Sequence, residues 1–331
     1  MALPLKSKAF DIFRYFMKAV TIDRYGSPDV LQYRDIDTPV PQGDRVLVKV
    51  RASSVNPVDW KIRRGDLALL SGFDFPLRLG ADVAGIVEAV GDRVSQFQPG
   101  DEVFGFANPI NGGAYAEFVT IPESQLALKP RNIGFEAAAA APLAGLTAMQ
   151  SLLDLGQLRP GFSVLVNGAS GGVGGFAVQI AKAFSATVTG VCSGTNADLV
   201  RMLGSDRVLD YTREDFTRQS DRYDIVFDAV GKRSFSECSR VLNPEGVYVS
   251  TLPSPELFAA IAQTFFFPGQ KAKIVLAQPK SRDLQALAEL IENDKVKPQI
   301  DRTYPLSNII DAQSYSETGR ATGKIVLTVD G

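Results

Sequence analysis

Between Met17 and about Pro130 the apolar residues come in short runs that alternate with polar ones. Met17-Lys18-Ala19-Val20, Val46-Leu47-Val48-Lys49-Val50 and Ile86-Val87-Glu88-Ala89-Val90 read as strands. Gly43-Asp44, Gly91-Asp92 and Pro99-Gly100-Asp101 sit beside them as turns. Strands spaced this closely predict a compact barrel or sandwich. Near Glu136 the pattern changes. Ala137 onward to Leu155 is a helical run interrupted by Pro142. From Phe162 strands and helices alternate. Val164-Leu165-Val166, Thr187–Cys192, Val208-Leu209, Ile225-Val226-Phe227 and Val247-Tyr248-Val249 are the strands. Helices through Gln179 and Phe184, over Ala197–Leu203 and near Phe235–Val241 fall between them. That alternation predicts a parallel sheet covered on both faces. After about Asp283 the pattern predicts one helix (Leu284–Asn293) and a last strand (Lys324–Val329) returning to the first region.

Length supports two domains. The chain has 331 residues, above the roughly 250–300 at which a single core stops growing. Lys plus Arg number 35 against 37 Asp plus Glu, so no whole-chain field favours a nucleic acid partner. No apolar run approaches the roughly 20 residues of a membrane span.

The chain contains no histidine and two cysteines. This excludes Ser-His-Asp and Cys-His nucleophilic systems and every His-ligated zinc site. Cys192 and Cys238 cannot build a disulfide framework, and such usage fits a reducing, cytoplasmic setting. Chemistry therefore falls to a cofactor or to Asp, Glu, Lys, Tyr, Ser and Thr.

Val164-Leu165-Val166-Asn167-Gly168-Ala169-Ser170-Gly171-Gly172-Val173-Gly174 joins an apolar strand to an apolar helix. This is the setting of a dinucleotide turn, where bare backbone N–H groups at a helix start admit a pyrophosphate. Ala169 stands where the first glycine usually stands. The plainer alternative is a tight strand-to-helix turn that binds nothing. NAD sites carry an acid at the end of the following strand. Here that strand ends at Cys192-Ser193-Gly194-Thr195-Asn196, with no carboxylate. Ser193 and Asn196 can donate to a 2′-phosphate, with Arg201 or Arg207 as candidate cations, so NADPH is expected. An ordinary polar turn is the alternative.

The segments Asn56-Pro57-Val58-Asp59-Trp60-Lys61, Gly80-Ala81-Asp82-Val83-Ala84-Gly85, Pro99-Gly100-Asp101-Glu102-Val103 and Gly112-Gly113-Ala114-Tyr115-Ala116-Glu117 carry a resemblance. So do Ala144-Gly145-Leu146-Thr147-Ala148, the glycine-rich turn, Asp210-Tyr211 and Ala321-Thr322-Gly323-Lys324. Together they resemble a zinc-free medium-chain dehydrogenase/reductase of the quinone oxidoreductase type. The resemblance implies an α/β fold: a GroES-like β-barrel catalytic domain (17–141 and 284–331) and a Rossmann doubly wound parallel-sheet domain (142–283). Zinc-using relatives place Cys near the Asn56–Asp59 segment and His where Ala81 stands. Without that Lewis acid, the feasible reaction is hydride transfer from NADPH to a quinone or an α,β-unsaturated carbonyl.

By the same resemblance Ser170, Gly171, Gly172, Val173 and Gly174 hold the pyrophosphate, and Ser193, Asn196 and Tyr211 approach the 2′-phosphate. Many relatives carry Lys where Asn196 stands. Gly323 and Lys324 are implied at the cofactor. Thr147 is expected near the nicotinamide, or bonded to its own helix. Asn56 is expected to orient a substrate carbonyl or the nicotinamide, or only to form its turn. Trp60 is a wall and N–H donor, or core. Tyr115 is read as packing, and no general acid emerges, which leaves solvent or the cofactor ribose to supply the proton.

Thr264-Phe265-Phe266-Phe267-Pro268 reads as acceptor pocket or core. Lys273-Ile274-Val275-Leu276-Ala277 reads as the edge strand of a homodimer or as an interior strand. Residues 1–16 are expected to be an extension ahead of Met17, with a weak amphipathic surface helix as the alternative. The rival function is a non-catalytic NADPH-binding protein, structural or RNA-associated.

Overall fold

The computed structural model describes residues 16–110 and 112–330. The expected extension therefore lies almost wholly outside the described residues. In chain order the first region holds β1 (Phe16–Ile22), β2 (Gln32–Asp37), β3 (Arg45–Val55), α1 (Pro57–Arg64), α2 (Ala68–Ser71), β4 (Leu77–Arg78) and β5 (Asp82–Val90). It continues with β6 (Glu102–Phe106), β7 (Phe118–Pro122), β8 (Leu126–Leu128) and α3 (Phe135–Ala139). The second holds α4 (Pro142–Met149), β9 (Ser163–Asn167), α5 (Gly172–Ala183), β10 (Thr187–Cys192), α6 (Ala197–Met202), β11 (Arg207–Asp210), β12 (Tyr223–Asp228) and α7 (Phe235–Cys238). Next come β13 (Leu242–Ser250), α8 (Pro255–Phe266), β14 (Lys271–Ile274), α9 (Ser281–Glu292), β15 (Ile300–Pro305), α10 (Ile309–Glu317) and β16 (Lys324–Thr328).

Three sheets organise these elements. β9–β14 form a parallel six-stranded sheet in the order β11-β10-β9-β12-β13-β14. The middles of the central strands, Val164-Leu165-Val166 and Ile225-Val226-Phe227, are apolar because helices cover both faces. β3, β5–β8, β15 and β16 form a seven-stranded sheet, and β2-β1-β4 a smaller one. Because β16 pairs antiparallel with β3, the chain's tail closes onto its first region. β15 and α10 were not foreseen. Their polar-interrupted sequences, such as Ile309-Ile310-Asp311-Ala312-Gln313, bury their apolar positions only against the barrel.

Proline placement decides the helical start of the second region. Pro142 does not break a long helix; it opens α4 as its first residue, where no N–H is needed. After α4 the chain widens into a π-helical turn over Gln150–Leu155. The Phe265-Phe266-Phe267 trio is neither core nor pocket wall. All three side chains are exposed at the end of α8. β14 is an edge strand.

Candidate active site

The dinucleotide turn is built as its sequence requires. Gly168 takes φ +84°, and the N–H groups of Gly168 and Ala169 both donate to Val191 O at 3.0 Å, which fixes the turn onto β10. Ala169 is fully buried, and Gly190 leaves it room: a Cβ at Gly190 would stand 3.0 Å from the Ala169 Cβ. A Cβ at Gly174 would meet Gly168 O at 2.0 Å, so helix and strand touch backbone to backbone. Gly171 caps α5, and the first helical bond across the turn runs from Gly175 N–H to Gly171 O at 2.8 Å. The N–H groups ahead of it have no intrahelical partner. These residues fit a pyrophosphate.

The neighbouring strand ends bring the other expected cofactor residues together. Asn196 Nδ2 donates to Ser170 Oγ at 3.2 Å, tying the 193–196 turn to the glycine turn. The Ser193 hydroxyl lies 2.9 Å from that of Thr195. Tyr211 N–H donates to Cys192 O, so its largely exposed ring follows β11 beside Ser193. Asp210 lies beneath this turn, where a Cβ at Gly194 would meet its Oδ2 at 2.5 Å. Its Oδ1 accepts from Thr212 N–H and Oγ1, and these bonds hold its carboxyl below the usual range. Neither cation read from the sequence is free. Arg207 begins β11, at the far end of the strand, and pairs with Asp221, and Arg201 pairs with Asp198. Arg213, missed in the sequence, leaves the correct end of β11 with a mostly exposed side chain 3.6 Å from Asp210.

Facing the turn is a buried polar cluster. Asp82 opens β5 with no exposed surface. Its Oδ2 accepts from Ser54 Oγ, from Asn56 Nδ2 at 2.8 Å and from Lys324 Nζ at 3.4 Å. Its Oδ1 accepts from Leu143 N–H at 2.8 Å, which anchors the start of α4. Lys324 Nζ donates to Asn56 Oδ1 at 2.5 Å and to Val55 O at 3.4 Å. The lysine stem crosses to the other half: a Cβ on Gly172 would stand 2.8 Å from Lys324 Cδ. One side chain thus touches the barrel cluster and the first residue of α5. Gly323 before it takes φ +116°, a left-handed conformation natural to glycine.

A second carboxyl lies behind Asn56. Asp59 Oδ2 accepts from Asn56 N–H at 2.7 Å and Tyr115 O–H at 2.8 Å, while its Oδ1 has no partner. Burial pushes this carboxyl up to about 7, against the pull of those two donors. The same burial raises the Tyr115 phenol well above its usual value, and the Asp59 charge beside it adds to the rise.

Of the expected catalytic residues, Thr147 takes the helix-bonded alternative and Asn56 is engaged within the buried cluster. Asn56 does not open its carboxamide to an acceptor: both ends are spent on Asp82 and Lys324, because the residue is buried between them. Thr147 Oγ1 donates to Leu143 O at 2.6 Å, bonding to its own helix. Trp60 is half-buried, with Lys61 Nζ and Arg64 Cζ 5.7 and 5.5 Å from its ring and with Nε1 unpartnered. Asp82, Asp59 and Lys324 as one cluster escaped the sequence reading. The available signal was Asp82 itself, an acid opening an apolar strand directly after the Gly80-Ala81 positions.

A cavity of about 610 Å3 opens between the end of β6 (Phe106, Asn108, Pro109) and the segment leaving β14 (Ala277, Gln278, Pro279). Phe106 pairs with Asp82 across β5–β6, so the cavity borders the strand level of the cluster. Gln150 holds its far wall, with Oε1 accepting from Gln278 N–H and Nε2 donating to Gln278 O, both at 2.9 Å. Among the described residues, no helix is long and apolar enough to cross a membrane, and no group of three or more His, Cys, Asp or Glu is placed to hold a metal ion.

Residues 42–131 match the alcohol dehydrogenase GroES-like domain family, and residues 203–327 match the family described as zinc-binding dehydrogenase. The chloroplast envelope quinone oxidoreductase homolog of Arabidopsis thaliana is 36% identical over 94% of this chain and 98% of its own. The 2-methylene-furan-3-one reductase of Solanum lycopersicum is 37% identical over 94% and 79%. The solved quinone oxidoreductase from Coxiella burnetii superposes with a TM-score of 0.87 at 32% identity, covering 96% of this chain and 100% of its own. The chain belongs to the quinone oxidoreductase branch of the medium-chain dehydrogenase/reductase family, whose cofactor is a nicotinamide dinucleotide.

Proposed function

We propose that the chain is a zinc-independent, NADPH-dependent reductase that transfers hydride to a quinone or an α,β-unsaturated carbonyl. The observation that carries this reading is the Asn56–Lys324–Asp82 cluster lying against Gly172, with no metal-ligating side chain at Asn56 or Ala81. The bound cofactor supplies the hydride. The chain's own residues hold and orient. Backbone N–H groups of Gly172, Val173 and Gly174 take the pyrophosphate, with Gly171 shaping the turn before them, aided by Ser170 and by Lys324 after Gly323. Ser193, Asn196 and Tyr211, with Arg213, approach the 2′-phosphate. Thr147 sits beside the nicotinamide. The acceptor enters from the cavity at Phe106 and Gln278, and Trp60, outside that cavity, serves as a wall further in. Among the described residues no acid lines that cavity, which leaves solvent or the cofactor ribose to protonate the α-carbon.

The domain division at 17–141 plus 284–331 and 142–283 accompanies this reading. So does a homodimer formed through the β14 edge, where Phe265 and Phe266 stand 77% and 78% exposed. A cytoplasmic setting also accompanies this reading, supported by cysteine usage that fits a reducing compartment.

Two measurements test the function. Purified protein is titrated with NADPH and NADH, then assayed against quinones and short and long enones. NADPH oxidation with at least one acceptor is expected. Binding without any turnover would replace the reading with a non-catalytic NADPH-binding protein, which the fully engaged Asn56 carboxamide and Thr147 hydroxyl also allow. Ser193→Asp is expected to weaken NADPH and improve relative NADH use, because a carboxylate repels a 2′-phosphate. An unchanged preference would remove the 2′-phosphate assignment.

A further inference from the structure

We infer that Lys324 is a two-position residue: a dinucleotide on the α5 turn draws its ammonium off Asn56, and only then is the Asn56 carboxamide oxygen open to the cleft. This rests on the reading that the turn binds a nicotinamide dinucleotide. Four observations carry it. Lys324 Cδ already lies against Gly172, the first residue of α5. The ammonium is two bonds further on, so rotation about the last side-chain bonds carries it between barrel and turn with the backbone still. Its shortest present contact is with a neutral amide oxygen, Asn56 Oδ1 at 2.5 Å, while the charged Asp82 Oδ2 stands further off at 3.4 Å. A pyrophosphate offers the same ammonium charged acceptors closer than the 3.4 Å of Asp82, and such bonds are roughly twice as strong as the one to the amide.

The third observation is that the residue left behind can bear the loss. Without Lys324, Asp82 keeps three donors: Ser54 Oγ, Asn56 Nδ2 and Leu143 N–H. Those bonds keep the buried carboxylate solvated when the ammonium at 3.4 Å moves away toward the turn, and Asn56 Nδ2 stays where it is. The fourth is that Asn56 Oδ1, once released, is an unpaired acceptor at the barrel–turn junction, suited to a hydroxyl or amide N–H. Asn56 is thus a positioning residue that Lys324 masks in the free chain. Binding at the turn and release of Asn56 are linked, and the linkage has a sign. Because Lys324 leaves Asn56 to reach the phosphates, Asn56 competes with the cofactor for one ammonium.

Isothermal titration of NADPH into wild type, Asn56→Ser, Lys324→Met and the double variant reads that competition without any turnover. Serine keeps an N-cap oxygen for α1 but is too short to hold the ammonium. Asn56→Ser is expected to tighten NADPH binding several-fold. Lys324→Met is expected to weaken it by about tenfold, the scale of one charge-assisted bond, and in that background the serine substitution is expected to change nothing. Asn56→Ser that binds no tighter than wild type overturns the proposal, as does tightening that persists without Lys324. If Asn56→Ser does not fold, a crystal structure of the wild-type chain with NADPH decides. An Nζ–Oδ1 contact kept at hydrogen-bonding distance overturns the proposal, and a broken one upholds it. Wild type that binds neither NADPH nor NADH overturns the underlying reading, and this inference with it.

Discussion

Tyr115 donates its hydroxyl to Asp59 Oδ2 at 2.8 Å, in a region where neither side chain reaches solvent. The bond joins the loop before β7 to the first turn of α1, immediately behind Asn56. It leaves Asp59 Oδ1 unpartnered, and a proton on that oxygen disturbs neither bond to Oδ2. A carboxyl so placed makes the chain's stability depend on pH.

Asp59, raised by burial to about 7, binds its proton more tightly folded than unfolded. Its contribution to stability is fully present below the unfolded value of about 3.9 and lost as pH rises through 7. Asn at this position keeps an oxygen for both donors and cannot ionise. Asp59→Asn is therefore expected to gain on wild type by on the order of 1–3 kcal/mol between pH 5 and pH 8. Urea unfolding at each pH measures the gain. Parallel stability curves for the two proteins would contradict it.

Tyr115→Phe removes one of the two donors that favour the charged form of Asp59. The expected cost is about 1–2 kcal/mol, the loss of one buried hydrogen bond. The Asp59 transition should also move to higher pH. NADPH affinity should change less than twofold, since Tyr115 touches no residue of the turn. A tenfold loss of affinity with unchanged stability would move Tyr115 from packing to the site.

Two glycines of the turn should respond in opposite ways. At Gly174 a methyl group meets backbone, Gly168 O at 2.0 Å, so helix and strand must separate. Gly174→Ala is expected to cost about 1–3 kcal/mol or more in melting experiments. At Gly172 the obstacle is the Lys324 Cδ, which a flexible stem can withdraw. Gly172→Ala should therefore fold with a loss under about 1 kcal/mol but bind NADPH more weakly. Equal stability loss at the two positions would mean that the Lys324 stem is held as rigidly as backbone.

The exposed end of α8 predicts an assembly. Phe265 and Phe266 pack edge to face at the end of α8, near β14, the edge strand of its sheet. Replacing both with Glu should convert a dimer to a monomer in sedimentation velocity. A wild-type chain that sediments as a monomer would contradict the proposed homodimer.

Much of the fold is legible in the residues. The glycine-rich turn declares itself because backbone contact at Gly174 and a left-handed Gly168 permit few other residues, and these are local demands. The alternation from Phe162 onward marks the parallel sheet for the same reason: strands covered on both faces must be apolar at consecutive positions. Missing histidine removes the zinc site from the chemistry before any fold is known. Yet α10 and β15 left no periodic trace, since their apolar residues face a barrel assembled from segments far away in the chain.

The site divides along the same line. Ser170, Ser193, Asn196 and Tyr211 follow strand ends, so the order of strands along the chain already brings them to one crevice. The Asn56–Asp82–Lys324 cluster joins residues 26, 242 and 268 positions apart. Nothing local marks Asn56 as engaged rather than open, or Lys324 as turned inward. That is settled only when β16 closes on β3 and carries a lysine between a buried carboxylate and the first residue of α5. Backbone geometry is specified by neighbours in the chain. The partners of a buried charge are specified by whichever distant groups must satisfy it once water is gone.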